Sequence, residues 1–275
     1  MTTNSLPLLF TFDGQARSGK GTVVHAVKRS LQNRGIKTML IDAGQVFRVL
    51  VVSAGHHGVD MESPDAIDAF LNDDAMLHET TELVKKVYAM PHDERDALLY
   101  TLKVGENSAK IGARPKSQEF KDGLLRKWLT DAVHEGYEVV LLDGRALEEV
   151  GSMLDAEGYC VYDMGLYFVC QAEIGARRTL GFAARSYDEL TDKERRQVDA
   201  LITQIDARNR SDAERKVQPI VPPENAPVCL LPEFEFTYHP GERQMLIIDT
   251  SAELTKNDMV SPVVRMFDSL LQPVH

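Results

Sequence analysis

Short apolar runs alternate along this chain with longer stretches of helical periodicity. Leu8–Asp13, Thr38–Asp42, Val139–Asp143, Leu166–Cys170 and Met245–Asp249 have the length and β-prone composition of strands. Gly19–Arg34, Gln118–Glu135, Glu173–Ala183, Asp192–Asn209 and Asp258–Leu271 read as helices between them. Strands that are apolar throughout predict a parallel sheet covered by helices on both faces, an α/β architecture. Three of the runs end in Asp beside a small residue: Asp13-Gly14, Asp42-Ala43 and Asp143-Gly144. Ligands of such folds sit at the carboxyl ends of the strands, so the chemistry is expected there.

Two segments break the alternation. Residues 56–114 are polar and mostly helical in pattern, with Asp65–Leu71, Ala75–Tyr88 and Asp93–Leu102 as pieces. That is too long for a plain connection, so a substrate-side insert is expected. Further on, Phe234-Glu235-Phe236-Thr237-Tyr238 alternates, and His239-Pro240-Gly241-Glu242 resembles a turn. A β-hairpin with Met245–Ile248 is the expectation there.

Composition adds limits. The 275 residues are 43% hydrophobic and 27% charged, with a mean hydropathy of −0.24, as in ordinary globular proteins. The net charge of −11 argues against a broad nucleic-acid or anionic-membrane surface, so any phosphate site must be a local basic cluster. Cys160, Cys170 and Cys229 lack paired spacing and read as reduced thiols. With neither a signal-peptide pattern nor a membrane-length apolar stretch, a cytoplasmic location is expected.

The most specific chemistry lies in Gly14-Gln15-Ala16-Arg17-Ser18-Gly19-Lys20-Gly21-Thr22, between the first strand and the first helix. Glycines let such a loop curl around a phosphate while backbone N–H groups and the helix N-terminus point at the anion. Lys20 would reach the outer phosphates of a bound nucleotide. An ordinary strand-to-helix turn is the alternative, and the lysine argues against it. Gly21 stands where a metal-binding Ser or Thr is usual, with Thr22 one place later.

Several arginines could supply a second phosphate site. Arg145 follows an apolar strand and Asp143-Gly144, which sets it at the sheet edge near the loop. Arg208, Asp212 and Arg215 are spaced to share one helical face. They could form a plain salt-bridge ladder, or Asp212 could bind a sugar hydroxyl while the arginines hold a phosphate. Arg48 on its own is more often a solvated helix arginine than a functional one. Arg177-Arg178 begins an arginine-bearing segment that is either solvated or a mobile lid.

Taken in order, these pieces resemble the bacterial type of cytidylate kinase across nearly the whole chain. The resemblance rests on Asp13-Gly-x-x-x-x-Gly19-Lys20-Gly21-Thr22, Phe47-Arg48, Leu141-Leu142-Asp143-Gly144-Arg145 and Ala176-Arg177-Arg178. It continues through Arg208-x-x-x-Asp212-x-x-Arg215, Gln218-Pro219-Ile220-Val221-Pro222-Pro223 and Ile247-Ile248-Asp249-Thr250-Ser251. It implies a P-loop NTPase core with a doubly wound, parallel, five-stranded sheet. The core would span residues 1–55 and 115–275, with a lid at about 178–193, a hairpin insert at about 225–248 and a monophosphate-binding insert at 56–114.

The implied activity is ATP-dependent phosphorylation of CMP or dCMP by a cytoplasmic monomer in pyrimidine nucleotide metabolism, with Mg2+ accompanying ATP. Gly14 to Thr22 would hold the ATP phosphates. The catalytic residues would be Lys20, stabilising charge on the transferred group, Arg145, and Arg177 with Arg178 in a short lid closing over the ATP phosphates. Arg48, Lys121, Arg145, Arg208, Asp212 and Arg215 would hold the monophosphate. Asp143, through water, and Thr22 would serve the metal. The departures fall on base-reading positions: Ala146 replaces an aspartate, Lys121 an arginine, and the base-contacting serine falls near Gly112 or at Ser108. Phe47 replaces a tyrosine, and Asn209 an aspartate. These changes leave room for another acceptor such as UMP, or for a catalytically silent nucleotide-binding regulatory module.

Overall fold

The computed structural model describes residues 5–215, 218–234, 236 and 242–271. The chain divides into two compact units, Met1–Ile41 with Leu129–His275, and Asp42–Trp128.

The first unit is an α/β layer structure. Its strands are β1 (Leu8–Gly14), β2 (Thr38–Asp42), β3 (Val139–Asp143), β4 (Val161–Val169), β5 (Val228–Leu230) and β6 (Gln244–Asp249), in the order β2-β3-β1-β4-β6-β5. β1 pairs in parallel with both β3 and β4, and β6 with both β4 and β5. The central strand β1 is buried from Leu9 to Gly14, which is why it carries no alternating polar face.

Phe10 and Phe12 point to the side covered by α1 (Lys20–Asn33) and by the C-terminal helix over Lys256–Leu270. Their rings lie 4.9 and 5.8 Å from that of Phe267. Burying each ring contributes about 2 kcal/mol. Thr11 points to the opposite side, where its hydroxyl shares a 2.8 Å hydrogen bond with Tyr162. Gly151, on the helix Leu147–Ala156, lies so close to that tyrosine ring that a Cβ would stand 2.8 Å from it. Apolar strands thus have helices on both faces, as the pattern predicts.

The described sheet has six strands rather than five. The additional strand, β5, has only three residues and lies between Pro227 and Pro232, so it has no periodicity to read. It joins through a parallel ladder, Val228 to Ile247 and Leu230 to Asp249. In the region of the expected hairpin, Phe234 and Phe236 pack on the apolar core. Residues 235 and 237–241, which carry the rest of that strand and most of the turn, lie outside the described residues.

The second unit is helical among the described residues: Ala43–His56, Pro64–Leu71, Asp74–Ala89, His92–Leu99, Leu102–Gly112 and the start of Pro115–Glu135. Val49, Leu50, Phe70, Val84, Leu99 and Ile111 form its buried core. The side chains of Asp42, Ser63, Asp73 and Thr101 each accept the N–H that opens one of these helices. The last of these caps starts a new helix after Tyr100, so the single piece expected over Asp93–Leu102 is divided.

Candidate functional site

The phosphate loop leaves β1 at Gly14 and enters α1 at Lys20. Its shape depends on its glycines at two points. Gly14 has φ 135°, and a Cβ there would stand 2.2 Å from the Phe168 carbonyl oxygen. Gly19 has φ 84°, and a Cβ there would meet the Met259 sulfur at 2.4 Å. Arg17 between them is also left-handed, at φ 60°.

Several elements hold the loop. Gln15 donates its N–H to Phe168 (2.9 Å) and accepts that of Cys170 on its side chain (3.1 Å). The Thr250 hydroxyl donates to the Ser18 carbonyl at 2.9 Å. Ala16 donates its N–H to Asn209 Oδ1, also at 2.9 Å. At the start of α1 there is no side-chain cap and no acidic residue in the first turn. Its first N–H groups have no intrahelical acceptor and face the loop, a cradle suited to an anion.

Lys20 Nζ is ion-paired with Asp143 at the end of β3. Asp13, at the end of β1, is buried and accepts the N–H groups of Gly14 (2.6 Å) and Leu147 (2.8 Å). Burial raises its proton affinity, against the opposing pull of those N–H groups and of Lys20. The Thr22 hydroxyl makes no hydrogen bond among the described residues. Gly21 has nothing within 4 Å of a would-be Cβ.

Beside the loop lies an arginine cluster on the helix α10 (Asp192–Ala213) and the residues flanking it. Asp212 is 3% exposed and ion-paired with Arg145, with Arg215 at 2.5 Å and with Arg208 at 3.6 Å. Burial and the neighbouring Arg208 lower the proton affinity of Arg145. One carboxylate against three guanidinium groups leaves a local positive excess within an acidic protein. A cavity of about 110 Å3 opens among Gln15, Arg145, Tyr167, Asn209 and Asp212.

Arg177 is 2% exposed and paired with Glu173 and Glu253. Arg178 donates to the carbonyls of Thr250 (2.7 Å) and Ala252 (2.6 Å). Both arginines thereby tie the helix Ala172–Thr179 to residues 250–253. A cavity of about 410 Å3 adjoins them, lined by residues 183–186 and 253–255.

In the second unit, the Arg48 guanidinium stacks 4.5 Å over the Tyr100 ring and donates to the Leu99 carbonyl at 2.9 Å. Tyr100 is pushed up to about 12 by burial and the carboxylate of Asp42. Lys121 is 1% exposed, with its ammonium 3.0 Å from the Asp122 carboxylate. Ser108 is buried and donates to the Gly105 carbonyl.

The structure thus gathers Lys20, Asp143, Arg145, Arg208, Asp212 and Arg215 at the carboxyl ends of β1 and β3. Sequence reasoning missed the holding roles of Gln15, Asn209 and Thr250. The only available signal was their position: a polar side chain at the end of an apolar strand, or beside a cluster already suspected. Among the described residues no helix is long and apolar enough to cross a membrane, and no group of three or more His, Cys, Asp or Glu could hold a metal ion.

Comparison with known proteins agrees with this geometry. The family model for cytidylate kinase matches residues 10–230. A cytidylate kinase of Vibrio cholerae is 30% identical over 217 residues, covering 78% of this chain and 85% of the relative. Those of Shewanella amazonensis and Aeromonas hydrophila are 27% and 28% identical over 220 residues, each covered over 84% of its length. With a phosphate loop and an arginine cluster on one sheet edge and a family match over most of its length, this chain belongs to the cytidylate kinase family of phosphotransferases, and is a nucleoside monophosphate kinase.

Proposed function

We propose that the enzyme transfers the γ-phosphoryl group of ATP to CMP or dCMP, releasing ADP and the nucleoside diphosphate. The observation that carries this reading is the shared cavity. Gln15 of the phosphate loop and Arg145, Asn209 and Asp212 of the acceptor side line one small space. A monophosphate held by Arg145, Arg208 and Arg215 would present its oxygen to a phosphate held by Lys20 and the loop amides. That oxygen attacks the γ-phosphorus as the bond to the β–γ bridging oxygen breaks, and the electron pair leaves with ADP. Such transfer needs positioning and charge neutralisation rather than a covalent intermediate.

The larger cavity, at residues 183–186 and 253–255, suits the base and sugar of ATP, with Arg177 and Arg178 anchoring its edge. Mg2+ fits the donor set near the loop, which comprises the Thr22 hydroxyl and, through water, the Asp143 carboxylate. When bound with ATP, the metal neutralises phosphate charge. By the resemblance, Arg48 and Lys121 are proposed as further monophosphate-binding residues, and Asp212 as the residue that contacts the acceptor sugar. The proposed division remains a core of residues 1–55 and 115–275, with a monophosphate-binding insert at 56–114 and a lid near 178–193.

A second reading, transfer to UMP or another monophosphate, is favoured by Ala146, whose methyl group offers no polar atom to a base. An ADP-release assay over CMP, dCMP, UMP, AMP and GMP separates the two. Strong preference for CMP or dCMP supports the first, and preference for another acceptor supports the second. ATP binding with no turnover on any monophosphate would instead indicate a silent regulatory module.

A further inference from the structure

The hydrogen bonds that hold the phosphate loop lead to different places. Those of Gln15 and Ser18 go to the ends of β4 and β6, at Phe168, Cys170 and Thr250. That of Ala16 goes to Asn209, on α10 between Arg208 and Asp212. Asn209 stands one residue from an arginine of the acceptor cluster and three from its central carboxylate. Its side chain also lines the small cavity between the two groups.

Arg17, next to Ala16, is in the left-handed region, at φ 60°. A non-glycine residue there is strained and persists only when its surroundings fix it. The Asn209 oxygen anchors the adjacent amide, so the strained stretch is fixed from the acceptor side. An uncharged carboxamide accepts this N–H without placing a negative charge beside bound phosphates.

We infer that Asn209 is a positioning residue for phosphoryl transfer: by accepting the Ala16 N–H, it sets the phosphate loop at its working distance from Arg145, Arg208 and Arg215. This rests on the kinase reading above. The role belongs to the transition state, because both phosphates can bind their own cations without the link but meet in line only with it. Misplacement by about 1 Å can cost on the order of a hundredfold in rate.

The test compares the full chain with Asn209→Ala and Asn209→Asp. Alanine favours helix, so α10 is expected to persist, and circular dichroism checks this. In Asn209→Ala, kcat should fall by about tenfold or more while the monophosphate KM stays within about threefold. Without nucleotide, exchange of the Ala16 amide hydrogen should accelerate by about tenfold in Asn209→Ala, and Asn209→Asp should restore the protection of the intact chain, because its carboxylate also accepts an N–H. Unchanged Ala16 exchange in Asn209→Ala, unchanged kcat in that folded variant, or failure of Asn209→Asp to restore protection would each overturn the inference. If the intact chain phosphorylates no monophosphate, the kinase reading fails and transition-state positioning falls with it. In an active enzyme, the variants judge Asn209 alone.

Discussion

Asp13 and Leu147 are joined across the carboxyl end of the sheet, the Asp13 carboxylate accepting the Leu147 N–H at 2.8 Å. Ala146, which precedes that helix, has φ 53° and no side-chain oxygen to cap it. A residue at the mouth of the phosphate loop therefore satisfies the first turn of a helix 134 positions away in sequence. Asp13→Ala would leave the Gly14 and Leu147 N–H groups without this acceptor. Such a loss costs about 2 kcal/mol, measurable as a lower urea midpoint with an unchanged slope. Because burial raises the Asp13 pKa, the native state holds its proton more tightly than the unfolded chain. Its contribution is thus greatest below the unfolded carboxylate range and declines as pH rises through the folded value. The stability difference between the intact chain and Asp13→Asn should change with pH across that interval.

Lys20 is ion-paired with Asp143, which holds its ammonium at the end of β3 beside the phosphate loop. Under the proposed function, Lys20→Ala is expected to lower kcat by about 100-fold or more, because it removes the positive charge proposed to stabilise the transferred group. The melting temperature should fall modestly, since Lys20 lies outside the apolar core but its removal leaves the Asp143 carboxylate without its partner. Near-normal turnover by a folded Lys20→Ala variant would remove the loop from the chemistry.

Asp212 is the buried partner of Arg145, Arg208 and Arg215, so its removal is expected to affect folding as well as the proposed binding. Asp212→Ala would leave three guanidinium groups facing one another, with an expected loss of about 3 kcal/mol. Arg145→Ala leaves Asp212 still paired with two arginines, so it should fold well and lose kcat/KM by about 100-fold. Denaturation and kinetics on the two variants would distinguish a structural carboxylate from a substrate-holding arginine.

Much of this arrangement was legible in sequence because it is local. The strands Thr38–Asp42 and Val139–Asp143 have the bounds that their apolar runs indicate, and the loop follows β1 directly. The helix carrying Arg208 continues to Ala213, which keeps Asp212 on it. What was hidden depends on distant contacts. β4 begins at Val161, five residues before the apolar run, through Asp163 and Gly165, which look like interruptions. Yet a Cβ at Gly165 would stand 2.4 Å from the Met245 sulfur and 2.6 Å from the Tyr162 hydroxyl. The glycine admits close neighbours rather than ending a strand. The holding contacts of the loop were equally hidden, because Asn209 and Thr250 reach it only in the folded chain.

Glu194 accepts from Arg185 and from the Thr191 backbone and hydroxyl, which together hold its carboxyl down to about 2. A depressed folded value means that this support for the start of α10 is present above the unfolded carboxylate range and is lost as pH falls towards 2. Glu194→Gln should therefore melt below the intact chain at pH 6, and the gap should narrow as pH falls from 5 towards 2. A gap independent of pH would show that the carboxylate charge is immaterial there.

Ala146 offers the most direct route to changing which base is accepted. Its left-handed backbone is one that aspartate tolerates better than alanine, so Ala146→Asp should relieve strain rather than add it. The resemblance implies an aspartate at this position that contributes to reading cytosine. An added carboxylate can accept from the amino group of cytosine, whereas against the carbonyl of uracil it would set two acceptors face to face. A hydrogen bond gained in one case and opposed in the other is worth about 1–3 kcal/mol of discrimination, a shift in relative kcat/KM of roughly five- to 150-fold. The ratio of kcat/KM for CMP over UMP should therefore rise by at least about fivefold in Ala146→Asp. If the ratio stays fixed while total activity is kept, residue 146 does not face the base, and discrimination must come from elsewhere in the acceptor site.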